Sequence, residues 1–538
     1  MHINKKINKS SILYFSIFFI FLLIGLNSYK DYGISIDENW HQISGEHYYS
    51  FFKGLFLNNP EFLTLNELKQ LFKVHSFKDP AIFDFSMVAL TEILNIKDTK
   101  DIYLFRHLSI FFIFLIGLFY FYLILKKRFN NDLFIVIGLL FLFLSPRIFA
   151  NSFYNNKDLI FLSVTCIFLY YSIVFLEKPS PGKAIIFGIF TALAFDIRIM
   201  AIIYIFAFYL MFFFNFLDEK NLFINKFKNL LLGIISTIFF LYLFWPYLWV
   251  DPLKNLIDFF SVIKTETPAL QTLYLGDYIF TKSTPWHHDI IWILFTSPLT
   301  IVILFNIGFL LQSIHIFKNF MNVEKKDHKF WYNKKELIDF YIFLAFTLIF
   351  FMRLKFGVNY DGWRQIYFLY PLIIILGLYG LEYLKRIIKN TIIIKFLFII
   401  VFLELIFLSI WNYKNHPYQF VYFNPIFKSL TKNNFELDYW GISNRSVLEQ
   451  IFHINEKNDF KVATISYTSL NDSLRILDPK IREKISIVYD LNDADYVIDN
   501  HRKKWSSTPG EENLEKNFSI IYSLIVDGNI INTVYKKN

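Results

Sequence analysis

Two adjacent carboxylates, Asp37 and Glu38, stand in the stretch GISIDENWH, close behind the first apolar run of the chain. Paired acids near a membrane surface have the types required of a general base and its support; for the pair alone, a solvated acidic turn is the plainer account. The stretch SPRIFANSFYNNKD puts Arg147, Lys157 and Asp158 beyond Pro146, which breaks an apolar run. Two cations beside a carboxylate could grip and orient a phosphate, and basic residues that snorkel to an interface would read the same way. Asp196 and Arg198 lie in AFDIRIM between two short apolar runs. Charges at membrane depth are expensive and usually functional, with a local ion pair an equal contender. A late stretch, FGVNYDGWRQIYFLYP, gathers Tyr360, Asp361, Trp363 and Arg364. Arginine can clamp a phosphate with two parallel hydrogen bonds, and an aromatic–basic rim belongs at an interface in any case. His287 and His288 adjoin in PWHH. Neighbours on a chain point apart and a zinc site needs more ligands, so no metal is expected there. Glu404, within the last apolar run, has no assigned role.

The elements that position these residues are membrane spans. Of the 538 residues, 55% are hydrophobic and 18% charged, against about 25% charged in soluble domains. That balance argues against a soluble protein, and it excludes disorder over most of the length. A single cysteine, Cys166, excludes an internal disulfide and a Cys-rich metal site. The formal charge of +9 is not a nucleic-acid signal here, because basic residues flanking spans fix orientation. A span takes about 20 apolar residues. About eleven cores are expected, at 11–27, 108–125, 133–144, 159–176, 184–195, 199–214, 230–245, 290–311, 338–351, 367–384 and 392–411.

Every second connection is basic, beginning with Lys5, Lys6 and Lys9 at the N-terminus. The others carry Lys126, Lys127 and Arg128; Lys178 and Lys183; Lys220, Lys226 and Lys228; Lys318, Lys325, Lys326, Lys329, Lys334 and Lys335; and Lys385, Arg386 and Lys389. These read as cytoplasmic, which puts the N-terminus inside and, after an odd number of spans, the tail outside. The outer segments are then 28–104, with Asp31, Asp79 and Asp84 among its acids, 250–289, and everything from 412 on. The expected division is a membrane domain over 1–411 and an extracytoplasmic α/β domain over 412–538. In the tail, a helix is expected over 444–456 and strands over 461–468, 484–489 and 496–499. A hairpin of 518–526 with 529–535 is expected to turn at Asp527-Gly528. Residues from about 433 onward are expected to fold alone and to carry no catalytic piece.

Taken in order, IDE at 36–38, PRIFANSFYNNKD at 146–158, PWHH at 285–288 and NYDGWRQIYFLYP at 359–371 resemble the protein-mannosyltransferase-like branch of the GT-C membrane glycosyltransferases. This branch includes protein O-mannosyltransferases and lipid A aminoarabinose transferases. HPYQFVYFNP at 416–425 and ELDYWGIS at 436–443 look like segments of bacterial members with an extracytoplasmic C-terminal domain, so the likeness covers nearly the whole chain. The resemblance implies a GT-C fold in a bacterial plasma membrane and an enzyme that takes a sugar from a polyprenyl-phosphate carrier. The sugar would pass, with inversion, to a glycan, lipid or protein acceptor at the outer face. Asp37 would be the base on the acceptor hydroxyl and Glu38 its support. Arg147, Lys157, Arg364 and Arg198 would meet the donor phosphate. Asp158, Tyr360, Asp361, His287 and His288 would support the site or bind substrate. Arginines around a phosphate make a metal unnecessary, so no cofactor is expected; the partners are the donor, the acceptor and membrane lipid, with no nucleic acid. The family's late motif often has His after the Arg, where this chain has Gln365. A transporter or lipid flippase and a glycan ligase are the rival readings. Transporters tend to show internal repeats and Gly/Pro-broken helices, and a ligase would lack the early acidic pair.

Overall fold

Long apolar runs with few breaks fold as membrane helices, because helices satisfy their own backbone polar groups in lipid. The computed structural model describes residues 9–57, 82–218, 223–265, 270–321, 331–357, 359–431, 433–456, 458–504 and 507–538. Among the residues singled out above, Lys5, Lys6, Asp79, Lys220, Lys325, Lys326 and Lys329 lie outside the described residues.

The helices of the membrane half, in chain order, begin with α1 Lys9–Ser28, α2 Ile36–Leu57, α3 Ile82–Ile93, α4 Thr99–Arg128, α5 Asp132–Leu144, α6 Pro146–Tyr154, α7 Asp158–Glu177 and α8 Pro181–Ile197. They continue with α9 Ala201–Asp218, α10 Phe223–Phe244, α11 Pro252–Thr265, α12 His288–Thr296, α13 Leu299–Met321, α14 Lys334–Phe356, α15 Tyr370–Ile387 and α16 Thr391–Lys414. Eight described helices are long and apolar enough to cross a membrane, and the pair α5 and α6, bent by 60°, makes up to nine. The chain is an integral membrane protein. All eleven expected cores fall on helices; the lower count of full spans arises because α8 has 17 residues and α9 has only a short apolar part.

Two proline breaks shape the bundle. Pro146 opens α6 at the bend. The single expected span over 290–311 is instead two helices, α12 and α13, separated at Ser297-Pro298. Proline lacks a donor and pushes its predecessor out of helical conformation. The new helix start is capped from another helix: the Glu404 carboxylate accepts the Leu299 N–H at 2.6 Å and the Thr300 N–H at 2.9 Å. A negative group at a helix N-terminus satisfies otherwise orphaned donors. Further along, α13 and α15 touch at backbone range: a Cβ on Gly308 would lie 1.9 Å from the Leu376 carbonyl oxygen. Small residues permit this approach between membrane helices.

The segment 28–104, expected as a long connection, has helices of its own among the described residues. It contains α2 and α3, and α2 begins at the acidic pair. Polar residues on one face of α4 hold it. Arg106 donates to Asp84 at 2.6 Å and to Gln42 at 3.1 Å, His107 Nε2 lies 3.0 Å from Glu38, and the Tyr103 hydroxyl donates to Asn39 at 3.3 Å. Spacings of three and four residues place these side chains on one helical face. Burial alone would raise the Asp84 carboxyl, but His41 and Arg106 outweigh it and hold the group below its ordinary value. Segment 250–289 adds α11 and a hairpin of β1 Gln271–Tyr274 and β2 Asp277–Phe280.

The tail folds as α17 Asn444–Ile454 on a five-stranded sheet of β3 Phe460–Thr464, β4 Ile485–Ile487, β5 Tyr496–Asp499, β6 Phe518–Val526 and β7 Asn529–Lys537. The order is β4-β3-β5-β7-β6, with β3 parallel to β4 and β5, and β7 antiparallel to its neighbours. Asp527 and Gly528 turn the last hairpin with φ of +51° and +86°, the sign that a tight type I′ turn requires. Val447, Leu448, Val462 and Ile498 belong to a core of the tail's own, whereas Tyr418, Phe420, Tyr422, Phe423 and Trp440 join the core of the membrane half.

At the far end of α4, Arg128 pairs with Asp339 through Nε and with Glu382 at 2.9 Å. Arg128→Ala would leave buried Asp339 uncompensated, which costs about 3–5 kcal/mol when one partner of a buried pair is removed. The expected result is a clearly lower melting temperature in detergent; an unchanged melt would show that the pair contributes little.

Candidate functional site

Asp37 and Glu38 are neighbours with opposite fates. Both lie in the first turn of α2, where carboxylates suit the helix N-terminus. Glu38 is fully buried, its Oε1 3.0 Å from His107 Nε2 and its Oε2 accepting the Ser35 N–H at 2.6 Å. Asp37 is about half exposed, at 46% for the side chain, and its Oδ2 lies 3.9 Å from Arg364 Nη2. Glu38 and His107 therefore fix the helix start, and Asp37 is the acid presented outward.

Arg364 is buried at the head of a 3-10 turn, Arg364–Leu369, that leads into α15. Its Nη1 donates to Asp158 Oδ2 at 2.9 Å, its Nε lies 2.7 Å from Asp361 Oδ2, and its plane lies over Tyr360 and Trp440 with centroids 5.0 and 4.3 Å away. Asp158, the first residue of α7, also takes Arg198 Nη2 and the Asn155 amide at 3.1 Å. Arg198 thus reaches across to Asp158, while Asp196 is buried, with no hydrogen bond to either carboxylate oxygen among the described residues. Asp361 and Gly362 both have positive φ, +57° and +63°. That is an unusual state for aspartate, and the turn brings Asp361 against the arginine three residues on. Burial raises the Asp361 carboxyl above its ordinary value, although Arg364 and Arg147 pull it down.

Arg147 on α6 is buried against the rings of Trp292 and Phe423, 4.9 and 5.1 Å from their centroids. Its Nε donates to the Tyr422 carbonyl at 3.2 Å, and its Nη2 has no hydrogen-bond partner. A buried guanidinium with a spare donor is suited to an anion. Lys157 adjoins Asp158 in the chain and is partly buried, its backbone N–H donating to Asn155 Oδ1 at 3.3 Å.

The two histidines stand one layer away and apart from each other. His287 Nδ1 lies 2.8 Å from the Tyr274 hydroxyl, and buried His288 lies 3.1 Å from Asp289. Asp289 takes Arg353 Nε at 2.8 Å, and Arg353 Nη2 donates to the Gln365 side-chain Oε1 at 2.7 Å. Gln365 therefore works as an acceptor in this network. Among the described residues, no three His, Cys, Asp or Glu side chains gather so as to hold a metal ion.

The structure brings Asp37, Asp158, Arg198, Tyr360, Asp361 and Arg364 into one cluster, with Arg147 beside it. Trp440 belongs to it as well, and His107 stands behind Glu38; neither was singled out in the sequence. His107 had a signal, since a polar residue inside an apolar run is seldom idle. Trp440 had none of its own: it comes from the tail, and its indole N–H donates to Asp361. The expectation that residues beyond about 433 carry no piece of the site is corrected by this contact. Asp438 accepts the Ile442 and Ser443 N–H groups at 3.0 Å each, Asn500 donates to the Asp438 carbonyl at 2.8 Å, and Arg502 donates to the Tyr439 carbonyl at 2.7 Å. The indole is thereby tied to the sheet.

Residues 80–245 match the family model described as dolichyl-phosphate-mannose-protein mannosyltransferase. No curated protein matches the chain. Among solved structures, it is similar to ArnT from Cupriavidus metallidurans in the apo state, with 10% identity, 97% of each chain covered and a TM-score of 0.45. The same protein bound to undecaprenyl phosphate gives 11% identity, the same coverage and a TM-score of 0.44. The family model spans α3 to α10 and includes Arg147, Lys157, Asp158 and Arg198, so it is this segment of the chain that is similar to the protein-mannosyltransferase family.

Proposed function

We propose that the protein transfers a sugar, with inversion, from a polyprenyl-phosphate donor to an acceptor hydroxyl at the extracytoplasmic face of a bacterial plasma membrane. The reading rests above all on one observation: Asp158 and half-exposed Asp37, both distant in the chain from Asp361 and Arg364, meet them at a single buried cation. Asp37 takes the acceptor's proton as its oxygen attacks the anomeric carbon. The bond from that carbon to the phosphate oxygen breaks, and polyprenyl phosphate leaves with the electron pair. Negative charge grows on the leaving phosphate, and fixed cations placed there lower the barrier. Arg147, with its spare donor, and Arg364, held in orientation by Asp158 and Asp361, fill that role, with Lys157 and Arg198 alongside. Glu38 and His107 act as positioning residues for the start of α2. Tyr360 and Trp440 flank the Arg364 plane.

Incubation of the purified protein with a panel of polyprenyl-phosphate sugars and candidate acceptors should release polyprenyl phosphate. Asp37→Asn should cut turnover by about 10²–10⁴-fold, the usual contribution of a general base, with an unchanged melt. Near-normal turnover would remove Asp37 from the mechanism.

Arg364→Lys should recover only part of the activity lost in Arg364→Ala, because a point charge cannot copy the planar fork shared by Asp158 and Asp361. Arg147→Ala should weaken donor binding. Full activity in Arg364→Lys would reduce that residue to an anchor.

The alternation of basic loops places the N-terminus in the cytoplasm and the tail outside. Single cysteines at Asn8 and Lys537, in a Cys166→Ser background, should react with impermeant reagent from opposite faces of the membrane; reaction from the same face refutes this orientation.

A further inference from the structure

Beyond the arginine cluster lies a cavity of about 940 Å³ between the β1–β2 hairpin, residues 433–437, the stretch after β5 and the β6–β7 turn. Its size is within the range of about 300–1,000 Å³ usual for small-molecule sites. No role assigned above uses it, yet it adjoins the cluster. Arg502 lies over the Tyr439 ring at 3.5 Å and over Tyr467 at 4.5 Å, and the residue after Tyr439 is Trp440, which covers Arg364.

The lining alternates in chemistry. Glu436 accepts the Thr272 hydroxyl at 3.3 Å. Asp499 is engaged by His501 at 3.1 Å, and Glu511 caps the Thr508 N–H at 2.7 Å. Lys503 lies over the exposed Tyr278 ring at 4.6 Å. Carboxylates and cations occur together, which disfavours a polyanion, and the charged wall disfavours a lipid tail. Hydroxyls that donate and accept by turns, on a ring with apolar faces, match such a lining. Burial pushes the Glu436 carboxyl up to about 7, with Asp361 and Asp438 adding and Arg502 and Thr272 opposing. Near neutral pH it can donate to one hydroxyl or accept from another.

We propose that this cavity is a saccharide site that holds the glycan part of the acceptor, with Glu436 and Tyr278 as its contacts, while the acceptor's reacting hydroxyl reaches Asp37. The acceptor role rests on the transfer reading above; saccharide binding does not. The test uses the full-length protein in detergent, without donor, on a panel of immobilised bacterial envelope oligosaccharides. At least one glycan should be retained, and Glu436→Gln and Tyr278→Ala should each weaken that retention at least tenfold. Both variants should melt as the parent does and keep their affinity for polyprenyl phosphate within twofold. Retention of no glycan, or retention unchanged in both variants, overturns the proposal. If glycan is retained while no polyprenyl-phosphate sugar is turned over, the transfer reading fails and the saccharide site stands.

Discussion

The structure turns on a buried guanidinium. Arg364 cannot be removed from water without counter-charges, because an unpaired buried ion costs several kcal/mol. Asp158 and Asp361 provide these charges, and Asp37 stands nearby at the open side. Each acid depends on a different element. Asp158 needs α7 to begin where Asn155 caps its backbone N–H at 2.8 Å. Asp361 needs the left-handed turn with Gly362. Asp37 needs α2 to lie against α4. Arginine suits this centre because its donors form a fixed fork that can serve several acceptors at once.

The polar face of α4 performs the second task, holding an outer helix in register with a membrane helix. Fully buried Arg106 and His107 would be costly within a span. They are tolerated because α2 and α3 return carboxylates to them, as Asp84 and Glu38 do. Glu404 is a simpler version of the same arrangement: an acid inside the membrane half whose partners are the open N–H groups of a helix that Pro298 has interrupted. In these two cases the polar group stands where another element is broken or docked.

Much of this was legible in the sequence because it is local. Apolar runs mark the helices, Pro146 marks the bend, and Asp527-Gly528 marks the hairpin; in each case nearest neighbours settle the conformation. The chemistry-bearing clusters were visible for the same reason, since interfacial charge and aromatic residues stand out against apolar runs. What could not be read was long-range. The run over 290–311 looks continuous despite Pro298, and the cap that stabilises its second half comes from Glu404, 105 residues beyond Leu299. AFDIRIM offers Arg198 an obvious neighbour in Asp196, yet the arginine pairs with Asp158. The helix α2 was hidden by its composition, because polar residues interrupt its apolar ones and no span pattern results.

Trp440 shows what the tail adds. The sheet could fold as an accessory layer with a core of its own, yet the strap at 438–440 leaves it and closes over the arginine. Anchors on both sides, Asp438 to the start of α17 and Tyr439 to Arg502, make the strap part of the sheet's rigid body rather than a loose linker. An indole over a guanidinium removes water from one face of the cation, and electrostatic interactions strengthen as water is excluded. Under the transfer proposed above, such a cover would serve two ends: it would strengthen the charge facing the leaving phosphate, and it would close one approach to hydrolysis. The residues just before the strap, Glu436 and Leu437, line the neighbouring cavity. An occupant of that cavity would therefore touch the short segment that leads into the cover over Arg364.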